Sequence, residues 1–127
     1  ITNYHMDIDL GKKLIQQKKY RKALSFFLHE IEGGNKSIRL YFFLGFIYFK
    51  LNKIEKSIYY YKLALKINPK SIEVILNLAN SNYVIGNFLS AKSLYLKAIK
   101  LKQFDLRAYY GLYLINPDNL NLKHITF

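Results

Sequence analysis

The sequence predicts an all-α protein built from stacked helix–turn–helix units, and two observations carry that reading. The chain repeats at a fixed step of 34 residues: Leu10, Leu44, Leu78 and Leu112; Gly11, Gly45 and Ala79; Ala23, Ser57 and Ala91; Phe27, Tyr61 and Tyr95. A period of this length marks supersecondary units that cannot bury their apolar faces alone and must stack on one another. Asn3, Ser37, Ser71 and Asp105 keep the same step, and each is a residue type that caps helix N-termini. With 51% apolar residues, the 127-residue chain has enough to bury a continuous core as one array.

Each unit reads as two helices. The first has them near Asn3–Gln17 and Tyr20–Ile31, followed by Gly33-Gly34-Asn35 as a connector. In the second, Leu40, Leu44, Ile47, Tyr48 and Leu51 mark one face of a helix starting near Ile38. Asn52-Lys53 makes the turn. Ile54, Ile58, Tyr61 and Leu65, with the small Ser57 and Ala64, then mark the inward face of its second helix. Asn68-Pro69 ends that helix, because proline cannot continue the hydrogen-bond ladder and biases the residue before it out of the helical region. The third unit follows the same plan, with Gly86 suited to the left-handed position at a helix C-terminus. A fourth unit begins at Asp105 with Leu106–Ile115 and is halted by Pro117. The expected organisation is one array with units at about 4–37, 38–71 and 72–105, a half unit at 106–116 and a tail at 117–127.

The half unit carries Tyr109, Leu112 and Tyr113 on the face that a second helix would cover. Two outcomes are expected. Either the tail folds back on it, or that surface is buried by self-association or against a partner.

The pattern Tyr41-x2-Leu44-Gly45-x2-Tyr48, then Ser57-x3-Tyr61, Ala64 and Pro69, resembles the tetratricopeptide repeat. The resemblance extends over about residues 4–116 and implies a right-handed α–α superhelix of about three and a half repeats. There are departures: Glu30 replaces a small residue, Asn82 replaces a tyrosine, and Gln103 replaces the terminal proline. The resemblance also implies function, since the first helices of such units line a concave groove that binds other proteins. Carried onto this chain, the groove residues are Ile8, Lys12, Ile15, Arg39, Phe42, Phe46, Phe49, Glu73, Leu76, Asn80, Tyr83, Arg107 and Tyr110. Spacing supports part of this independently, because Phe42, Phe46 and Phe49 form a stripe at i, i+4 and i+7 beside the Leu40–Leu44 face. That stripe is either a groove for an apolar peptide or partner helix, or packing covered by the chain's own tail or another subunit. One subtype of the family clamps a C-terminal carboxylate with cations. Here its positions fall on Ile8, Lys12, Phe43, Glu73 and Asn77, or one unit later on Phe42, Phe46, Asn77, Arg107 and Gly111. Neither set supplies the cations.

The formal charge of +12 raises the question of nucleic acid. Of the 20 basic residues only Arg21, Arg39 and Arg107 are arginine, which weighs against that partner. The chain is rich in Asn, Ile, Tyr and Phe, as expected of an A+T-rich genome, so much of the lysine charge reads as codon bias on solvated faces. The densest basic patch is Lys12, Lys13, Lys18, Lys19, Arg21 and Lys22. It reads as a solvated surface or as a site for an acidic protein, anionic lipid headgroups or nucleic acid. His5, His29 and His124 have no metal-ligand spacing, the eight acids are scattered, and no nucleophile or phosphate-loop motif occurs. No catalytic residue, metal or cofactor is expected. Zero cysteines exclude disulfides. The longest apolar run, Leu40 to Phe49, is ten residues and too short to span a bilayer, so a soluble piece is expected. The chain opens Ile1-Thr2 without an initiator Met, so any targeting signal upstream would be out of view and the compartment is left open. The reading is therefore a non-enzymatic scaffold or adaptor that binds another protein, with a basic helical-repeat nucleic-acid binder as the alternative.

Overall fold

A computed structural model of the chain describes residues 4–120, with side chains from 8 to 119. Seven α-helices follow in order: α1 (Tyr4–Gln16), α2 (Tyr20–Glu32), α3 (Ile38–Lys50), α4 (Ile54–Ile67), α5 (Ile72–Val84), α6 (Phe88–Leu101) and α7 (Leu106–Ile115). A short 3₁₀ turn, η1 (Pro117–Leu120), comes last.

Side-chain caps start the odd-numbered helices. Leu40 N–H donates to Ser37 Oγ at 3.2 Å, Val74 N–H to Ser71 Oγ at 3.4 Å and Arg107 N–H to Asp105 Oδ1 at 3.1 Å. The expected cap at Asn3 lies outside the described residues. The even-numbered helices α2, α4 and α6 begin without a side-chain cap, directly from tight turns. Those turns repeat one geometry. Lys18, Asn52 and Gly86 all take positive φ (59°, 59° and 89°). The next residue's N–H bonds back to Leu14, Tyr48 and Asn82 carbonyls at 2.9, 2.8 and 2.8 Å, closing the helix end as in a Schellman motif.

The helices form two layers. Consecutive odd-numbered helices touch one another, whereas among the described residues the even-numbered ones do not approach each other in the same way. The odd layer is thus the tighter, inner side of the curve. The core sits at the seams between units. Ala23 and Phe27 of α2 pack with Leu40, Leu44, Ile47 and Tyr48 of α3. Tyr61 and Ala64 of α4 meet Val74 and Leu78 of α5, and Tyr95 and Ala98 of α6 meet Ala108 and Leu112 of α7. Small residues are required where the rings land: a β-carbon added at Gly11 would stand 2.3 Å from the Phe27 ring, and one at Gly45 2.6 Å from Tyr61.

The departures from the repeat pattern are absorbed locally. Glu30 is half-buried and does not keep α2 off α3, because Ala23 and Phe27 make that seam. Asn82, buried in place of a tyrosine, donates to the Leu78 carbonyl at 3.0 Å and accepts from Asn87 at 3.3 Å, so its polar groups are satisfied. Tyr59 is exposed, but Tyr60 is half-buried and stacks on Tyr48 with centroids 5.6 Å apart. Tyr60 thus packs onto α3 instead of standing free on α4. The tail's first residues turn back on the half unit: Asn119 of η1 is buried and donates to the Leu112 carbonyl at 3.0 Å. The rest of the tail, residues 121–127, lies outside the described residues.

One comparison tests this arrangement. Leu10 and Leu44 share a repeat position, but Leu44 is fully buried against α2 whereas Leu10 on α1 is 51% exposed. Leu44→Ala is expected to lower unfolding stability by about 2–5 kcal/mol, and Leu10→Ala by less than about 1 kcal/mol. Urea denaturation of the two variants checks this.

Candidate protein-binding groove

The inner surface carries two clefts that meet at Glu73. One, of about 580 Å³, lies across α3, α5 and α7. It gathers Phe49, Leu76, Asn80, Tyr83, Arg107 and Tyr110, six of the side chains expected in the groove. The other, of about 450 Å³, lies across α1, α3 and α5 and gathers Lys12, Arg39 and Phe42 with Phe43 and Val74.

Not every expected residue is presented. Ile8 is buried and lines neither cleft, so it serves packing. Ile15 is half-buried at the α2–α3 seam. Phe46 lines neither cleft, and its half-buried ring lies under the Lys50 ammonium at 5.4 Å. Phe42 has a double role. It borders the smaller cleft, but its ring packs against Tyr61 at 5.8 Å and Phe43 at 6.0 Å, so much of it belongs to the core.

The charges of the larger cleft are tied to each other. Arg107 donates from Nη1 to both Glu73 oxygens at 2.9 and 3.0 Å. It also donates from Nε and Nη2 to Asp105 at 3.0 and 2.7 Å. The hydrogen bonds from Arg107 hold the Asp105 carboxyl below the ordinary carboxylate range, and the same carboxylate partners push the guanidinium further up. Glu73 and Arg107 are one repeat apart, so this pair ties α7 to α5 across the inner layer. Being largely exposed, it contributes more to placement than to stability. What it leaves in the cleft is apolar surface with two amides, Asn77 and Asn80. Asn77 uses its NH₂ on the Glu73 carbonyl at 2.7 Å, and Asn80 Oδ1 accepts from the Tyr95 hydroxyl.

Sequence reasoning missed Leu114, Val84 and Tyr95 as cleft residues. Tyr95 stands in the sequence only as the repeat partner of Phe27 and Tyr61. The signal available was that tyrosine, not phenylalanine, stands there, so a hydroxyl must emerge somewhere polar. The basic patch divides. Lys12 belongs to the smaller cleft, whereas Lys18, Lys19, Arg21 and Lys22 surround a separate hollow of about 380 Å³ with Tyr20 and Leu51. Lys13 is exposed and lines neither. His29 is exposed on α2, while His5 and His124 lie outside the described side chains. Among the described residues no group of three or more His, Cys, Asp or Glu could hold a metal ion.

Burial raises the phenol of Tyr95 to about 12 and pushes that of Tyr61 up as well. A phenol that stays neutral in the fold keeps a proton that the unfolded chain releases near its ordinary 10.0. Its stabilising contribution is therefore complete below pH 10.0 and declines as pH rises toward about 12. Thermal melts are expected to show this alkaline decline, and Tyr95→Phe to make it shallower. An unchanged slope would mean that another group is titrating.

Comparison with known proteins bears on the fold. Residues 38–71, the second unit, match the family model of the tetratricopeptide repeat. No curated protein matches the chain by sequence. Solved structures are similar to it in fold. MamA is 20% identical with a TM-score of 0.88, over 97% of this chain and 74% of that one. The type III secretion chaperone SycD of Yersinia enterocolitica, solved with a peptide of the translocator YopD, is 18% identical with a TM-score of 0.82, over 91% and 93%. The first tetratricopeptide domain of Spaghetti (RPAP3), bound to the HSP90 peptide SRMEEVD, is 18% identical with a TM-score of 0.81, over 89% and 90%.

Proposed function

We propose that this chain, a member of the tetratricopeptide repeat family, is a non-enzymatic scaffold or adaptor that holds a protein partner in its inner groove. The partner presents an apolar peptide segment or the apolar face of a helix. The observation that carries this reading is the larger cleft. Its two lining charges, Glu73 and Arg107, are paired with each other, and Phe49, Tyr83, Tyr110 and Leu114 are left around them. Tyr110, on α7 at one end of the inner layer, lines this cleft and is 63% exposed. Aromatic side chains that a partner can cover are among the residues that dominate binding energy in protein interfaces.

The fold neighbours favour a peptide-sized occupant, since two of them were solved with one bound. The occupant differs in chemistry from the acidic HSP90 peptide. Glu73 stands in the groove, and its partner Arg107 is engaged by two carboxylates. Lys12 and Arg39 in the smaller cleft set a direction, favouring an acidic flank on the α1 side of an otherwise apolar segment. The nucleic-acid alternative is weakened, because the basic patch divides between two surfaces and the groove itself holds no run of cations.

A displayed peptide library screened against the wild-type array is expected to return segments with large apolar side chains. Tyr110→Ala is expected to weaken those peptides roughly tenfold or more, with helicity and melting temperature near wild type. Selected peptides that bind Tyr110→Ala as well as wild type would remove the larger cleft from the account. Phe42→Ala is the poorer probe, because its ring is also part of the core.

A further inference from the structure

The three turns inside the units fall along one edge of the array. The hollow lined by Lys18, Lys19, Arg21 and Lys22 includes Leu51, which joins the first turn to the second. A neighbouring hollow of about 570 Å³ includes Lys53 and Lys56 from the second turn with Val84 and Ile85 from the third. This edge therefore presents Lys18, Lys19, Arg21, Lys22, Lys53 and Lys56, with Glu55 as the one acid among the residues lining the two hollows.

The third turn differs in kind. Across Val84-Ile85-Gly86-Asn87-Phe88-Leu89 there is no charged residue, and all four large apolar side chains are exposed, Leu89 to 84%. Phe88 rests partly on Tyr83, at 5.5 Å between centroids. Leu89 is too exposed for the core to account for it. A row of cations continuing into a protruding uncharged apolar turn matches a bilayer interface. Lysines attract anionic headgroups, and apolar side chains enter at the boundary between headgroups and acyl chains. A nucleic-acid strand would need cations along its whole track and flat rings to stack on, and Val84, Ile85 and Leu89 supply neither. Among the described residues no helix is long and apolar enough to cross a membrane, so attachment by this edge would be peripheral.

We propose that this edge docks the array on an anionic lipid bilayer, with the first two turns over the headgroups and the Val84–Leu89 turn inserted. Apart from Val84, which borders both surfaces, the inner groove shares no lining residue with this edge, so the two readings are tested through separate residues.

The chain contains no tryptophan, which makes the test direct. Leu89→Trp places a single reporter at the tip of the third turn, and Ile67→Trp places one at an exposed position at the opposite end of α4. With phosphatidylcholine vesicles containing phosphatidylserine, Leu89→Trp emission is expected to shift to the blue, while Ile67→Trp emission stays put. Lys18→Glu/Lys19→Glu/Arg21→Glu is expected to weaken sedimentation with these vesicles at least tenfold or so, since each cation near the surface contributes several-fold. Lys66→Glu/Lys70→Glu/Lys100→Glu changes the net charge equally on the opposite edge, and is expected to weaken binding less than about threefold. The proposal is overturned by any of three results: Leu89→Trp emission unmoved by anionic vesicles, equal losses from the two charge sets, or tighter binding to oligonucleotides than to vesicles at the same salt.

Discussion

The fold depends on one repeated contact. An aromatic ring from the second helix of each unit is seated against its own first helix and against the first helix of the next unit. Phe27 lies over Gly11 and beside Leu44, and Tyr61 lies over Gly45 and beside Leu78. Tyr95 lies beside Ala79 and Leu112. Each ring fills space that neither unit could close alone, so the seam between units carries the buried surface and the units are stable as a stack. The half unit shows the rule from the other side. Among the described residues no second helix follows α7, and it turns its glycine, Gly111, toward the preceding ring, where a β-carbon would stand 2.2 Å from Tyr95.

This contact also sets where function can reside. Because the rings take up the space between layers, the outward surfaces of the odd helices are left to form the inner groove at a fixed spacing. Arg107, Glu73 and Arg39 share one repeat position, and the bond between the first two locks the register of α7 on α5. Tyr95 links the two roles. Its ring belongs to the seam, and its hydroxyl reaches Asn80 in the cleft. The intra-unit turns touch the seams little beyond Leu51, and their composition runs from cationic at Lys18 to apolar at Leu89.

Much of the fold was legible because its determinants are local and periodic. Ser37, Ser71 and Asp105 cap where the 34-residue step puts them, and Asn68-Pro69 stops α4. The left-handed turns were legible only at Gly86, since Lys18 and Asn52 adopt the same backbone without glycine. The candidate groove was legible by register, but exposure along it was not. Ile8, Phe42, Leu76 and Tyr110 share a repeat position and range from buried to mostly exposed. Their exposure depends on which neighbouring helix covers them, and that differs between the ends and the middle of a short stack. Phe46 escaped the clefts, and the basic patch divided, for a similar reason. Nearness along the chain does not say which side of a turn a lysine leaves from.

The most direct measurement is residue-resolved amide hydrogen exchange on Tyr95→Ala, a change expected to remove about 3–5 kcal/mol. If the ring holds the half unit to the stack, protection is lost first in α6 and α7, with part of α5, while α3 and α4 remain protected. The groove wall carrying Arg107 and Tyr110 then opens with α7, and binding to the inner surface falls with it. Unchanged protection in α7, or loss spread evenly from α1 to α7, would contradict the seam as the contact on which the rest is built.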